Sequence, residues 1–451
     1  MKVVIMAGGK GTRISSIAND IPKPMLKIEG IPVLEREIQC LREQGFTDII
    51  ITIGHLGKVI KDYFGDGTRV SPITNREFGV HIEYYEEKEA LGNAGALFKI
   101  RNKLDSDFLL LNADAVFDVD FNRFIQFHYE HKGLVTLFTH PNSHPYDSSI
   151  IIANHKGVVE QWLSKENRND YYPNRVNAGL HIVSPKVLDN SEVKGGQSET
   201  LNGCGQKIKI DLDRDILKPL AGTGDMYCYD SSEYVKDMGT PDRYYSVCND
   251  FKEGLLTLKN LKKKQKAIFM DRDGTVNKYV GYLKNVRDLE LIEGVTDAIR
   301  KINASGYLAI IVTNQPVVAR GEVTFDYLDK IHNKIEMILG NNGAYVDAVY
   351  FCPHHPDKGY EGEISTLKIE CECRKPKPGM IFAAAKKYNI DLANSWMIGD
   401  SEIDIQCGIN AGCKTALIGH TDCKVGQNVN VNSLLDFVDK YIEMKDGKRI
   451  K

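Results

Sequence analysis

Long apolar runs are missing from this chain of 451 residues, and so is a strong excess of either charge. No run approaches the ~20 apolar residues that a membrane helix needs, so we expect no membrane partner. The formal net charge of −3 predicts no broad basic surface, which argues against nucleic acid as a partner. The chain opens on a strand-like run, Met1 to Ile5, without a secretory signal pattern, so we expect a cytoplasmic protein.

A disulfide framework is also missing, because only 10 cysteines are spread over the whole length. We expect reduced thiols, some of them bound to metal. The cysteines whose spacing suggests no ligand role are Cys40, Cys204, Cys228, Cys248, Cys407, Cys413 and Cys423. Internal repeats are not evident either.

The length predicts at least two domains, since one hydrophobic core rarely serves so many residues. A basic run from Leu261 to Lys266 is typical of a solvated linker. We therefore expect a first domain at 1–255, a linker at 256–266, a second domain at 267–425 and a closing helix or tail at 426–451.

Buried-strand runs alternate with helical spacing along the chain. Val3 to Ala7 and Ile49 to Ile53 are apolar throughout, and the helical spacing of Val33 to Leu41 lies between them. This alternation predicts an α/β protein with doubly wound parallel sheets, whose ligands bind at the carboxyl ends of the strands.

The first strand leads into a glycine-rich turn, Gly8 to Arg13. Glycines let backbone N–H groups approach a phosphate closely, and Arg13 adds charge. Pro22 and Pro24 stiffen the chain on both sides of Lys23, which can serve as a point charge for phosphate. An ordinary proline turn would have the same sequence.

In this half the strand-like run Phe108 to Leu111 ends in Asn-Ala-Asp, which contains Asp114, and Asp237 in Asp-Met-Gly-Thr-Pro could supply a second carboxylate. Together they could hold one Mg²⁺ between triphosphate oxygens. Either aspartate alone could be a cap or a turn residue.

Residues 1 to about 250 resemble the sugar-phosphate nucleotidyltransferases, near their mannose-1-phosphate guanylyltransferase branch. The resemblance implies that a sugar 1-phosphate attacks a nucleoside triphosphate, with Arg13 and Lys23 as catalytic cations and Asp114 and Asp237 as Mg²⁺ ligands. It also implies a set of substrate-binding residues, which are Gly8, Gly9, Gly11, Thr12, Gly92 and Asn177. Asn93, where the family usually has threonine, and the run 164–166 (Ser-Lys-Glu) depart from the family pattern, and the second departure leaves the sugar open.

In the second half, Ala267 to Met270 is an apolar run that ends in Asp271-Arg272-Asp273-Gly274. Residues two apart on an extended chain point the same way, so the two carboxylates can converge. Beside a hard cation, one could attack a phosphoryl group and the other could transfer the proton of the leaving group.

Three later segments supply the rest of such a site. Thr313-Asn314-Gln315 follows a strand and can hold phosphate oxygens. Arg374-Lys375 brings cations, and Asp400 can complete an oxygen-ligand Mg²⁺ site. We expect Asp404 to support that site from outside the ligand set.

These four ordered motifs resemble the haloacid dehalogenase superfamily. By that resemblance Asp271 is the nucleophile, Asp273 the acid/base and Lys375 the charge stabiliser. Thr313, Asn314, Gln315 and Arg374 would bind substrate. The implied Mg²⁺ ligands are Asp271, Asp273 and Asp400.

Cys352-Pro353-His354-His355 and Cys371-Glu372-Cys373 offer soft or borderline ligands in two short pairs. Such a set suits a closed tetrahedral Zn²⁺ site of structural type, although the spacing is tighter than in zinc fingers. Reduced thiols beside a surface histidine are the alternative. The pattern resembles the heptose-bisphosphate phosphatase and histidinol-phosphatase subgroup, which implies Cys352, His354, Cys371 and Cys373 as zinc ligands and places Tyr279 and Tyr282 in a substrate loop.

The two resemblances fit one route, because the product of the second domain would be the substrate of the first. By these resemblances the second domain would remove the 7-phosphate of D-glycero-D-manno-heptose 1,7-bisphosphate. The first domain would then transfer a nucleotidyl group, with GMP favoured, to the heptose 1-phosphate, which gives GDP-heptose and pyrophosphate. We expect small-molecule substrates, a nucleoside triphosphate and sugar phosphates, with Mg²⁺ at both sites and structural Zn²⁺, in a possible homo-oligomer. The alternatives are a mannose-1-phosphate guanylyltransferase fused to a histidinol-phosphatase-like enzyme, and a silent nucleotide-sugar sensor that regulates the phosphatase.

Overall fold

The computed structural model describes residues 1–9, 12–14, 16–17, 20–89, 91–189, 209–419 and 425–442. Gly11 and the side chain of Thr12, both predicted to bind substrate, lie outside the described residues, as do Cys204 and Cys423. In the described residues, no helix is both long enough and apolar enough to cross a bilayer.

The chain folds into two compact units. Unit 1 comprises Met1–Thr139, Ile151–Trp162 and Asn177–Thr257, and unit 2 comprises His140–Ile150, Leu163–Val176 and Leu258–Lys451. The segment predicted to be a solvated linker is partly packed: Leu261 and Gln265 are buried. The apolar side chain of Leu261 joins a core cluster with Phe269, and Gln265 Nε2 donates to the Asn260 carbonyl oxygen at 2.8 Å.

A mixed sheet forms the centre of unit 1, and nine strands of the described chain belong to it. Strand β1 pairs in parallel with β4 and β6, whereas β11 runs antiparallel to β6. Val3 and Ile5 of β1 face one core cluster and Val4 faces another, so helices cover both sheet faces, which explains the uninterrupted apolar run. The strands up to residue 257 are β1 (Val3–Ala7), β2 (Lys27–Ile28), β3 (Ile31–Pro32), β4 (Asp48–Ile53), β5 (His81–Glu86), β6 (Phe108–Asn112), β7 (Ala115–Asp118), β8 (Val135–His140), β9 (Ile150–Ala153), β10 (Val159–Leu163), β11 (Val176–Val183), β12 (Met226–Asp230) and β13 (Tyr234–Asp237).

The strand order across this sheet is β10-β9-β11-β6-β1-β4-β5, with β8 pairing with β11 and β12. Strands β7 and β13 form a separate antiparallel pair, as do β2 and β3. The α-helices of this half are α1 (Val33–Glu43), α2 (Gly57–Phe64), α3 (Gly95–Lys99), α4 (Phe121–His131) and α5 (Pro241–Lys252).

The described sheet of unit 2 is entirely parallel, with six strands in the order β16-β15-β14-β17-β18-β19. Ile268 and Met270 of β14 face one core cluster, and Ala267 and Phe269 face the other. The strands are β14 (Lys266–Met270), β15 (Tyr307–Asn314), β16 (Ala348–Cys352), β17 (Trp396–Gly399), β18 (Lys414–Ile418) and β19 (Val429–Val431). The helices are α6 (Val295–Ser305), α7 (Pro316–Ala319), α8 (Phe325–Asn341), α9 (Gly379–Tyr388), α10 (Glu402–Ala411) and α11 (Leu434–Tyr441).

These two sheets confirm the predicted α/β class with two domains, each built around parallel strands. The unit 1 sheet is mixed rather than purely parallel, because β11 runs antiparallel to β6. Helix α6 ends as its sequence indicates, because Gly306 adopts the left-handed φ of 81° that closes a helix at little steric cost.

Unit 2 also contains two segments that precede residue 257 in the sequence. Residues Leu163–Val176 contact α8, where the backbone N–H of Asn174 donates to Glu336 Oε2 at 2.6 Å. Arg175 Nη1 lies 3.2 Å from the same oxygen. The compact units are therefore not simple consecutive stretches of sequence.

Candidate active sites and metal centre

Three neighbouring parallel strands end at one edge of the unit 2 sheet. Strand β14 lies between β15 and β17, and Asp271 directly follows its last residue. Thr313 and Asn314 end β15, and Asp400 follows β17. The order of the strands thus brings the predicted phosphatase motifs together.

Lys375 lies at the centre of this edge and is buried. Its Nζ donates to Asp271 Oδ1 and to Asp404 Oδ1, both at 2.6 Å, and to the Val312 carbonyl oxygen at 2.9 Å. Burial alone would lower the pKa of Lys375, but Asp271 and then Asp404 outweigh burial and raise it. Burial raises the pKa of Asp271, and the Lys375 ammonium opposes that change.

A group of three carboxylates surrounds the ammonium. Asp271, Asp400 and Asp404 each offer an oxygen, and these oxygens all lie within 4.8 Å of one another. Burial, followed by the charge of Asp404, raises the pKa of Asp400, so a cation would relieve this crowding. A Cβ on Gly274 (φ 88°) would lie 2.0 Å from Asp400 Oδ2, so only glycine leaves room for that carboxylate. The donor set fits Mg²⁺, which prefers carboxylate oxygens.

This group differs from the predicted ligand set in two members. Asp404, expected to act from outside, is in the group, because the first turn of α10 carries it to the sheet edge. The carboxylate of Asp273, expected as a ligand, instead accepts hydrogen bonds from Arg272, Asn277 and Gln315.

The Thr313-Asn314-Gln315 segment bonds to other site residues. Asn314 Nδ2 donates to the Lys375 carbonyl oxygen at 3.1 Å, and the Lys375 N–H donates to Asn314 Oδ1 at 3.0 Å. Gln315 Nε2 donates to Thr313 Oγ1 at 2.9 Å and to Asp273 Oδ2 at 3.0 Å. Both amides were predicted to bind phosphate, and both position other site residues in this structure.

The predicted substrate loop is exposed. Tyr279 is 71% exposed and Tyr282 is 48% exposed. The Arg320 guanidinium lies 4.1 Å from the ring centroid of Tyr282 and 4.4 Å from that of Tyr360, a cation–π arrangement. Arg374, another predicted substrate residue, donates from Nη1 to the His354 carbonyl oxygen at 3.3 Å.

Cys352, His354, Cys371 and Cys373 form a compact group whose ligand atoms all lie within 4.8 Å of one another. The Cys373 Sγ is 3.2 Å from that of Cys352 and 3.3 Å from that of Cys371. His354 Nδ1 is 3.3 Å from Cys373 Sγ. These spacings approach the ~3.8 Å between sulfurs on one tetrahedral Zn²⁺ with Zn–S bonds of about 2.3 Å.

Hydrogen bonding within this group also favours a metal. The hydrogen bond from Cys352, and then those from Cys371 and His354, lower the pKa of Cys373, whereas the contact with Cys373 and burial raise the pKa of Cys352. Cys373 is therefore the thiol of this pair that more readily supplies the thiolate that zinc binds. His355 is turned to another partner, because its Nδ1 accepts from the Asp357 N–H at 3.2 Å.

In unit 1, Asp114 and Asp237 lie next to each other. Strands β7 and β13 pair Ala115 with Asp237, and the Met238 N–H donates to the Asp114 carbonyl oxygen at 3.0 Å. Lys23 forms an ion pair with Asp114.

The surroundings of Asp237 are strongly basic. Burial would raise its pKa, but Arg243 Nη1 at 2.8 Å, the Gly239 N–H and the charge of Lys23 outweigh burial and lower it. A Cβ on Gly239 would lie 2.7 Å from Asp237 Oδ1 and 3.6 Å from Arg13 Nη2, which places Arg13 in the same neighbourhood.

The predicted glycine sites differ in what surrounds them. A Cβ on Gly9 would meet none of the described residues within 4 Å, so that part of the chain leaves its backbone open to a ligand. Gly92 has φ 91°, and a Cβ there would lie 2.1 Å from the Ile210 carbonyl oxygen, so close packing alone accounts for this glycine. Asn177 Oδ1 accepts from the Gly179 N–H at 3.2 Å and from His181 Nε2 at 3.0 Å.

Sequence reasoning missed Arg272 and Asn277, which donate to Asp273, and His332, which contacts Arg272. Arg272 is fully buried although it lies between two aspartates. An arginine inside an Asp-x-Asp pair at the end of an apolar strand was the available signal, since a buried cation requires a carboxylate partner.

The family model described as nucleotidyl transferase matches residues 2–254. A second model, described as HAD-hydrolase-like, matches residues 372–427.

Among curated proteins, the D-glycero-beta-D-manno-heptose-1,7-bisphosphate 7-phosphatase of Yersinia pestis is 40% identical over 155 residues, 34% of this chain and 80% of that protein. The D-glycero-alpha-D-manno-heptose-1,7-bisphosphate 7-phosphatase of Burkholderia mallei is 39% identical over 155 residues, with the same two shares. The crystal structure of HddC from Yersinia pseudotuberculosis aligns with 25% identity and a TM-score of 0.44, covering 55% of this chain and 99% of HddC.

Proposed function

Because the chain belongs to the nucleotidyl transferase family through residues 2–254 and to the phosphatase family of its Yersinia pestis and Burkholderia mallei relatives, we propose that this two-domain enzyme activates a heptose. Unit 2 would remove the 7-phosphate of D-glycero-D-manno-heptose 1,7-bisphosphate. Unit 1 would then transfer a nucleotidyl group, preferentially GMP, to the heptose 1-phosphate and release pyrophosphate. The observation that carries the phosphatase half is Lys375 bonded to both Asp271 and Asp404 beside Asp400.

In the proposed phosphatase reaction, an Asp271 oxygen attacks the phosphorus and the bond from phosphorus to the sugar oxygen breaks. Asp273 gives its proton to that leaving oxygen. Water then attacks the aspartyl phosphate, Asp273 takes a proton from the water, and inorganic phosphate leaves. Lys375 holds Asp271 in place and offsets negative charge on the phosphoryl group.

Asp271, Asp400 and Asp404 are the residues that would hold Mg²⁺. When bound, the ion supplies charge neutralisation for the phosphoryl oxygens. We keep the predicted role of Asp400 in this proposal and add Asp404, since both lie within the carboxylate group.

In the proposed transferase reaction, a phosphate oxygen of the sugar 1-phosphate attacks the α-phosphorus of the nucleoside triphosphate. The bond from that phosphorus to the pyrophosphate oxygen breaks, and no covalent enzyme intermediate forms. Lys23 and Arg13 would position the phosphates and neutralise their charge. Asp114 and Asp237 would hold Mg²⁺, which offsets the charge of the triphosphate.

For the cysteine group we propose a structural zinc ion held by Cys352, His354, Cys371 and Cys373. Cys373 directly precedes Arg374 and Lys375 in the sequence. Zinc would therefore brace the loop that presents Lys375 and would take no part in the chemistry.

A substrate matrix tests the proposed function. The purified chain, with Mg²⁺, is given both anomers of heptose 1,7-bisphosphate and each of GTP, ATP, CTP and UTP, and phosphate, pyrophosphate and nucleotide sugar are measured. We expect phosphate release without any nucleotide, and a nucleotide heptose in highest yield with GTP. If neither phosphate nor a nucleotide heptose is formed, the proposal is refuted. If mannose 1-phosphate and histidinol phosphate are turned over in preference to the heptose substrates, the alternative fusion is favoured.

A further inference from the structure

Arg272 is a fully buried arginine between the two aspartates of the phosphatase motif. Its side chain binds Asp273 through several contacts: Nη2 donates to Oδ2 at 2.8 Å and to Oδ1 at 3.0 Å, and Nε donates to Oδ1 at 3.2 Å. A guanidinium fork that grips both oxygens of a carboxylate fixes its rotation as well as its position. Burial strengthens such a contact, because little water competes for the donors.

The remaining nitrogen of the guanidinium, Nη1, also has a partner. Arg272 Nη1 lies 3.2 Å from Nε2 of His332 on α8. Since arginine can only donate, the imidazole nitrogen accepts. Burial, and then the Arg272 cation, lower the pKa of His332 well below its ordinary value, which keeps the ring neutral and able to accept. Helix α8 thereby anchors the arginine from the side opposite Asp273.

Two further donors complete the surroundings of Asp273. Asn277 Nδ2 donates to Oδ1 at 3.0 Å, and Gln315 Nε2 donates to Oδ2 at 3.0 Å. Both amides sit on the turns that follow β14 and β15, so the carboxylate is tied to two strand ends and to α8. Acid–base catalysis requires a carboxyl group within hydrogen-bonding reach of the transferred proton, and its rate falls when that geometry loosens.

We propose that Arg272 is the positioning residue of the acid/base Asp273, anchored on His332, and that it sets the efficiency of proton transfer to the leaving oxygen. The inference rests on the proposed phosphatase function of unit 2. It assigns Arg272 no contact with substrate.

The dependence of the rate on the leaving group distinguishes this role from a merely structural one. A sugar alkoxide needs a proton as it leaves, whereas 4-nitrophenolate leaves without one. In Arg272→Met, we expect turnover of heptose 1,7-bisphosphate to fall roughly 10²- to 10⁴-fold, the range for loss of general acid catalysis. With 4-nitrophenyl phosphate, we expect a rapid burst of about one nitrophenolate per chain and then a slow steady state, since attack by Asp271 survives while hydrolysis of the aspartyl phosphate lacks its base.

Two further variants make the test specific. Arg272→Lys keeps the positive charge but cannot bind both carboxylate oxygens as a guanidinium does. We therefore expect its turnover of heptose 1,7-bisphosphate to lie between those of Arg272→Met and wild type. Lys259→Met is the control, because it removes another buried ion pair of unit 2, Lys259 with Asp347 at 3.3 Å, that does not touch Asp273. This control should change the turnover rates of both esters by the same factor and show no burst of nitrophenolate.

The inference would be overturned if Arg272→Met lowered the turnover rates of both esters by the same factor without a burst. It would also be overturned if neither rate fell. If wild-type protein hydrolyses 4-nitrophenyl phosphate and an alkyl phosphate but not the heptose substrate, the proposed substrate fails, and the comparison is made between 4-nitrophenyl phosphate and that alkyl ester. A crystal structure of Arg272→Met, or of Arg272→Lys if the first does not fold, gives a readout without activity. We expect Asp273 to move out of reach of Gln315, and an unmoved carboxylate would refute the positioning role.

Discussion

Replacing Lys375 by methionine tests the charge balance of the phosphatase site most directly. The change keeps most of the length of the side chain but removes an ammonium that is 3% exposed and bonded to Asp271 and Asp404 at 2.6 Å each. Their side chains are 12% and 2% exposed, so water cannot replace the lost partner. Breaking a buried ion pair from one side costs about 3–5 kcal/mol, which lowers the melting temperature of a domain of this size by about 6–20 °C.

The sign of the pH dependence follows from the same contacts. Without the ammonium, the crowded carboxyl groups of the folded state bind protons more tightly than they do in the unfolded chain. Their pKa values in the folded state then lie above the unfolded value of about 3.9, so the variant is least impaired at low pH and loses stability as the pH rises through the folded pKa. Adding Mg²⁺ should stabilise Lys375→Met more than wild type, since a cation replaces the missing charge.

Thermal unfolding with EDTA at several pH values, repeated with Mg²⁺, measures these effects. Lys377→Met is the matched control: its ammonium pairs with Glu372 at 3.1 Å, and their side chains are 44% and 86% exposed, so its loss should change the stability little. Phosphate release should fall about 10²- to 10³-fold in Lys375→Met while nucleotidyl transfer is retained. A loss of stability no larger than that of the control, or one that does not change with pH, would refute the reasoning.

Three further predictions concern other parts of the molecule. Asp271→Asn should reduce phosphate release by roughly 10⁴-fold or more, because the nucleophile is gone, and leave nucleotidyl transfer intact; loss of both activities in a folded variant would contradict separate sites. Wild-type protein purified with zinc present should contain about one zinc per chain by elemental analysis, and Cys371→Ser should lose it together with thermal stability; zinc-free wild type would contradict the metal centre. Burial lowers the pKa of His181 to about 4, whereas the pKa in the unfolded chain is about 6.5. Between these pH values the unfolded chain binds a proton at this histidine and the folded chain does not. The free energy of unfolding should therefore be highest above pH ~6.5 and fall by about 3 kcal/mol towards pH 4. Urea unfolding of wild type and His181→Gln across this range checks the value, and an identical pH dependence in the two proteins would refute it.

The fold class was open to prediction because buried parallel strands have a distinctive sequence. Val3 to Ala7 and Ala267 to Met270 are apolar without alternation, as strands covered on both faces must be. The family comparisons confirm the two enzyme classes that the motifs indicated. The roles of individual site residues remain predictions for the experiments above.

The placement of several side chains could not be predicted from spacing. Asp404 was expected outside the carboxylate group, yet α10 carries it to Asp271 and Asp400. Asn314 and Gln315 were expected to bind phosphate, and this role stays a prediction; the spacing did not show that their amides also bond to Lys375 and Asp273. Sequence shows that such donors are available, but it does not show which of several nearby acceptors each donor reaches.

By itself, the sequence determined which strands are buried and which chemical groups follow their ends, because parallel strands collect those ends at one edge of a sheet. Tertiary structure alone decided that Arg272 turns to Asp273 and His332, and that segments 140–150 and 163–176 pack within unit 2. Local periodicity specifies the face on which a side chain lies. The partner of a buried charge depends on distances between residues far apart in the chain, and only the folded molecule sets those distances.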